Sequence, residues 1–129
     1  MKKIAFVFCG MMLASKAGAV TQIIEAGDDV SGGDVNTVVT QEVYGTTRNF
    51  TVSGVQQVMS GGKTYNSNIY SYGRQNVETG GISYNTNVQY YATQNVSGEA
   101  YSSAVATRGN INVNSGGRVQ DTMVNGGTL

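Results

Sequence analysis

From residue 39 onward the apolar positions recur on a fixed beat. Phe50, Ile69, Val88, Val105 and Val124 each close a short polar run, and Val58, Val77, Val96 and Val113 follow the first four of them by eight residues. Eleven residues then lead from Val58 to Ile69, from Val77 to Val88 and from Val113 to Val124, while the step from Val96 to Val105 is two shorter. A small residue stands four before each of these valines, at Gly54, Gly73, Ala92 and Gly109. Glycine pairs punctuate the same register at Gly61-Gly62, Gly80-Gly81, Gly116-Gly117 and Gly126-Gly127. The segments 58–76 and 77–95 are each 19 residues long and agree at nine positions.

This beat predicts two strands and two turns per unit. One strand is of the type YNSNI (65–69) or YNTNV (84–88), with residues 65, 67 and 69 expected on one face and 66, 68 and 70 on the other. The other is short, RQNV (74–77) or TQNV (93–96). Glycine closes each, because it takes a positive φ in a tight turn. A unit this short cannot bury its own apolar side, so units must stack as a solenoid. Stacked strands pair in parallel, about 4.8 Å apart, and like residues lie over like residues.

The predicted fold class is therefore all-β, a parallel β-helix of about five 19-residue rungs. The predicted columns are Tyr65/Tyr84/Tyr101, Asn68/Asn87/Ala104, Ile69/Val88/Val105, Asn76/Asn95/Asn112 and Val77/Val96/Val113. Asparagines in register form amide ladders. The column Gln75/Gln94/Ile111 mixes polar and apolar residues, and its direction is left open. Residues 20–38 fit the register poorly and read as an irregular N-terminal turn or cap, with 39–129 as the repeat region lacking a C-terminal cap.

The start of the chain is of another kind. Lys2 and Lys3 precede an apolar run from Ile4 to Ala14 and then Ala17-Gly18-Ala19. That order reads as a secretory signal peptide over 1–19, cleaved after Ala19. The apolar run is too short to span a bilayer. Cys9, the single cysteine, leaves with it, so the exported chain uses no disulfide. The segment 20–129 keeps five cations against eight acids, a net charge of −3. No basic patch is present for nucleic acid.

Composition narrows the chemistry. The chain has no His, which removes Ser-His-Asp and Cys-His catalysis and the usual zinc sites. Glu25, Asp28, Asp29 and Asp34 form the one acidic cluster, read as a solvated turn in preference to a calcium site. Asp121, Glu78 and Glu99 stand singly and read as surface charges. No catalytic, cofactor-binding or metal residue is expected, and no cofactor. Tyr70, Tyr72, Tyr90 and Tyr91 fall near turns or outer faces, and ordinary stacking is preferred there to a sugar-binding aromatic ladder. NFT (49–51) and NVS (95–97) match the N-glycosylation acceptor, which carries little weight here.

The two units resemble the 19-residue repeats of AIDA-type self-associating autotransporter adhesins, matched at Gly61, Gly62, Asn66, Ile69, Gly73 and Gln75, and again at Gly80, Gly81, Asn85, Val88 and Gln94. At 113–124 the match is weaker, with Asp121 in place of Asn. The resemblance covers roughly residues 30–129. It implies a right-handed parallel β-helix on a Gram-negative cell surface or outer membrane, acting in autoaggregation, adherence and biofilm formation. It further implies self-association with the same passenger on other cells, contact with host surfaces or glycans, and glycosylated Ser and Thr in some members. Signal peptides in that family are often longer, and its translocator barrel is missing, so the chain reads as a truncated passenger, periplasmic if it is truly this short. Two other functions compete: a secreted curlin-like amyloid subunit, and a β-helix polysaccharide-degrading enzyme.

Overall fold

The computed structural model describes residues 20–129. The signal peptide expected over 1–19 lies outside the described residues. Sixteen strands fall into six coils. The first coil holds β1 (Val20–Ile24) and β2 (Asp29–Val35), and the second β3 (Val39–Val43) and β4 (Thr46–Val52). The third holds β5 (Val55–Val58), β6 (Lys63–Tyr65) and β7 (Asn68–Ile69). The fourth repeats this as β8 (Arg74–Val77), β9 (Ile82–Tyr84) and β10 (Asn87–Val88). The fifth is β11 (Thr93–Val96), β12 (Glu99–Tyr101) and β13 (Ala104–Val105), and the sixth β14 (Asn110–Val113), β15 (Arg118–Gln120) and β16 (Met123–Val124).

Two parallel sheets run the length of the stack. One has six strands in the order β1-β3-β5-β8-β11-β14. The other has ten, because β4 pairs with both β6 and β7 and the broken strands below continue as two columns. No described helix is long and apolar enough to cross a membrane. The protein is thus an all-β parallel solenoid, as the spacing predicts, with six coils instead of about five. The extra coil comes from residues 20–38. They are regular, not an irregular turn: β1 pairs with β3 from Val20↔Val39 to Ile24↔Val43, and β2 with β4 from Asp29↔Thr46 to Val35↔Val52. Their turns differ in length from the later ones, which hides the register in the sequence.

Every predicted column from β6 onward is found, including Tyr65↔Tyr84↔Tyr101, Asn76↔Asn95↔Asn112 and Ile69↔Val88↔Val105. Two details change. Ile69 lies under Val52, not Phe50. Phe50 is an additional inward residue, and Gly33 makes room for it: a Cβ at Gly33 would come within 2.6 Å of the Phe50 ring. The expected continuous strand over 65–69 is also split. Asn66 takes φ 58° and turns the chain, so Thr64, Ser67 and Ile69 point inward while Tyr65 and Asn68 stay outside. A left-handed residue resets the alternation of faces, which pure period-2 counting misses.

The core has an apolar part and a polar part. Val35, Val52, Ile69, Val88 and Val105 stack along one wall, and Ile24, Val43, Val58, Val77 and Val96 along the other, all fully or nearly fully buried. Between them runs a glutamine column, which settles the direction of Gln75 and Gln94. Gln41, Gln56, Gln75 and Gln94 are each 0% exposed. The same amide geometry repeats down the stack: Gln41 Nε2 donates to Gln22 Oε1 at 2.6 Å, and Gln56, Gln75 and Gln94 each donate to the glutamine above at 2.7 Å. Buried hydroxyls occupy the remaining valences. Thr64 accepts from Gln75 at 3.3 Å, Ser83 accepts from Gln94 at 3.0 Å, and Ser67, Thr86 and Ser103 donate to Gln56, Gln75 and Gln94 at 3.3–3.4 Å. Burying an amide costs free energy unless it is bonded. Among the described residues only Thr122 Oγ1 is buried with no partner, so this polar core is satisfied.

Candidate recognition groove

The outer face of the ten-stranded sheet carries the surface chemistry. The residue that splits the strand in the third to sixth coils has a counterpart in the unbroken β2 and β4: Gly32, Asn49, Asn66, Asn85, Ser102 and Asp121 all have positive φ, between 54° and 78°. Asparagine and aspartate tolerate this region because their short polar side chains bond locally. The column therefore selects Asn for backbone reasons, and stacking then joins the amides. Asn66 Nδ2 donates to Asn49 Oδ1 at 3.1 Å and Asn85 Nδ2 to Asn66 Oδ1 at 3.3 Å. A second ladder runs beside it, with Asn87 Nδ2 donating to Asn68 Oδ1 at 3.0 Å.

Between the two ladders the turn leaves an open groove of about 320 Å³, lined by Asn49, Asn66, Asn68, Asn85, Asn87 and Ser102. Its lining is wholly uncharged. An amide has two N–H donors and two carbonyl lone pairs. The ladder uses one of each, so every rung keeps a donor and an acceptor for a ligand or partner. On the six-stranded sheet a third ladder, Asn76, Asn95 and Asn112, is bonded at 2.8 Å per step.

Tyrosines border these ladders. Tyr65, Tyr84 and Tyr101 stack with centroids 4.8 and 5.4 Å apart, and the Arg48 guanidinium covers the outer face of Tyr65 at 4.6 Å. Arg48 is held in turn by Asp29 through bonds of 2.9 and 3.1 Å. That bond, with the Asp29 charge, raises the Arg48 pKa above its ordinary value. Both faces of Tyr65 and of Tyr84 are thus occupied. Burial, then the Glu99 carboxylate, raises the Tyr101 pKa. The charge of Glu42 raises that of Tyr44, whose hydroxyl lies 3.2 Å from Glu42 Oε1. Both phenols stay neutral beyond the usual range.

The acidic residues singled out in the sequence do not converge. Glu25 and Asp28 lie in the turn between β1 and β2, Asp29 is engaged by Arg48, and Asp34 sits at the far end of β2. No group of three or more His, Cys, Asp or Glu able to hold a metal occurs among the described residues. Glu99 is 3.9 Å from Arg118, while Glu78 and Asp121 lie in separate turns. Asn49 of the NFT site lines the groove, and Asn95 of the NVS site is a half-buried rung of the third ladder. Sequence reasoning finds the Asn68/Asn87 and Asn76/Asn95/Asn112 columns but neither the Asn49/Asn66/Asn85 ladder nor the groove. Its one trace is that Asn66 and Asn85 stand two before Asn68 and Asn87, where an unbroken strand would give a single flat face.

Fold and face define an all-β parallel solenoid with amide-laddered, uncharged surfaces. Among solved structures, the chain is similar to the TibC-catalysed, hyper-glycosylated TibA fragment, at 30% identity and a TM-score of 0.74. The likeness covers 81% of this chain and 42% of that one, so the chain spans well under half the length of the structure it matches. No family model matches the sequence, and no curated protein matches it.

Proposed function

We propose that the chain is passenger repeat of an AIDA-type autotransporter adhesin, exported and displayed at the cell surface, which self-associates with the same passenger on neighbouring cells. It has no catalytic residue and works by contact alone. The observation that carries this reading is the uncharged groove between two amide ladders. An amide face is self-complementary in either orientation, since every rung offers both a donor and an acceptor. Many weak bonds in register add up when two rods align. The likeness to the glycosylated TibA fragment supports the same reading, and extends it to sugar-modified Ser and Thr as a second property to look for. Adherence to surfaces and biofilm formation follow from the same multivalent contact.

Cells displaying the chain should settle faster than cells without it. An Asn85→Asp variant places a carboxylate in the groove at a φ that Asp121 already adopts in this column. The fold is retained and facing grooves repel, so settling slows at low salt and recovers at high salt. Equal settling with and without the chain contradicts the proposal.

A further inference from the structure

Tyr72 is the most exposed of the large hydrophobic side chains among the described residues, and its surroundings suit a sugar ring. The corner between the two sheets varies in length from coil to coil. It is Asn36–Val38 in the first coil, only Ser53-Gly54 in the second, and Tyr70–Gly73 in the third. Gly54 packs directly beneath the first corner, where a Cβ would clash with the Asn36 carbonyl. The first and third corners therefore project past the second and stand about 10 Å apart, two strand spacings. They bound a notch one coil high, with Ser53 and Gly54 as its floor.

Tyr72 forms the lower wall. It is 74% exposed. Its other face is occupied: Tyr91 stacks on it with centroids 5.0 Å apart and planes 7° from parallel, and Arg108 lies 5.5 Å from the Tyr91 centroid with Nη1 bonded to the Tyr91 hydroxyl at 3.1 Å. Tyr90 buttresses Tyr91 edge-on. At the corresponding end of the Tyr65 ladder the outer ring face is closed by Arg48. The backbone makes the same point. Tyr72 has φ 70° and Ser71 has φ 55°, positions where glycine would relieve the strain. Tyr91 and Arg108 take the same region in the next two corners, at 58° and 64°, so this edge of the stack keeps bulky side chains at positions that suit glycine better.

We propose that the open face of Tyr72 binds the C–H face of a neutral pyranose seated in this notch. The partially positive C–H bonds of the sugar meet the negative face of the ring. Its hydroxyls meet the hydroxyls of Ser53, Ser71 and Thr37 and the amide of Asn36, and no charged residue occurs in Asn36–Val38, Ser53-Gly54 or Tyr70–Gly73. An uncharged ligand therefore fits, and the apolar wall completed by Val38, 56% exposed, favours a ring over an extended peptide. The site is separate from the amide groove and does not rest on self-association.

Saturation-transfer NMR of the purified chain with lactose, maltose and cellobiose tests it. Transfer to the ring C–H protons of at least one sugar is expected, retained in Tyr72→Phe and abolished in Tyr72→Gly. The glycine suits the local φ, so the thermal midpoint should not fall. Absence of transfer from the wild-type chain to all three sugars overturns the proposal, as does equal transfer from Tyr72→Gly. A concentration-dependent dimer that needs Tyr72 and ignores sugar assigns the ring to a second copy and also overturns it. Cells displaying Tyr72→Gly should settle like wild type, which keeps this result distinct from the groove.

Discussion

At the scale of single residues the molecule depends on amides that are satisfied only by their equivalents in adjacent coils. Gln75 shows this best. It donates to Gln56 and accepts from Gln94, both at 2.7 Å, and it also bonds Thr64 and Thr86. Truncation removes packing and takes one buried partner each from Gln56, Gln94, Thr64 and Thr86. Gln75→Ala should therefore destabilise the fold by about 2–4 kcal/mol, read from the urea midpoint. A change below the noise of that measurement would show the glutamine column to be ornamental. The inward direction of Gln75 was in fact legible, since it stands two residues before buried Val77 within one strand, and Ile111 stands two before Val113. Polarity concealed it. A column of glutamines reads as surface until each amide is seen to have partners on both sides.

At the scale of elements the turns decide the register. Gly61 takes φ 88°, and Gly62 lies so close to the coil above that a Cβ would stand 2.0 Å from the Val43 carbonyl oxygen. That contact is with backbone, which cannot move without parting β3 from β5. Gly62→Ala should thus cost about 1–3 kcal/mol and raise amide hydrogen exchange first in β5 and β6. Uniform exchange at wild-type rates would contradict the tight stacking described. The strands of the later coils were readable because their glycines and valines recur at constant spacing. The first coil was not, because its turn at 25–28 is two residues longer than the turn at 44–45 and its corner is one residue longer than that of the second, which shifts the beat. Nor was the break at Asn66: a left-handed residue inside a β-like run leaves no mark in a hydrophobic pattern, and it is this break that makes the groove.

At the scale of the whole molecule, stability and surface come from one repetition. Each coil contacts its neighbours only, so stability adds along the axis. The same stacking aligns Asn49, Asn66 and Asn85 into a groove wall and Tyr72 over Tyr91 into a platform. A polar face built this way cannot be lost one rung at a time without altering the ladder on both sides. The adhesion proposed above would draw on the length of such a face, since each coil adds one more rung to it.

Every ladder and column depends on coaxial stacking in parallel register, and one distance tests it. Ile23, Glu42, Gln57, Asn76, Asn95 and Asn112 form an outward column with one member per coil. Spin labels at Ile23→Cys and Asn112→Cys, in chain 20–129 with no other cysteine, span five coil steps. Pulsed electron–electron resonance should give one narrow distance distribution centred near 24 Å, five spacings of about 4.8 Å. A broad distribution, or a narrow one far from that value, would contradict the stack and every ladder built on it.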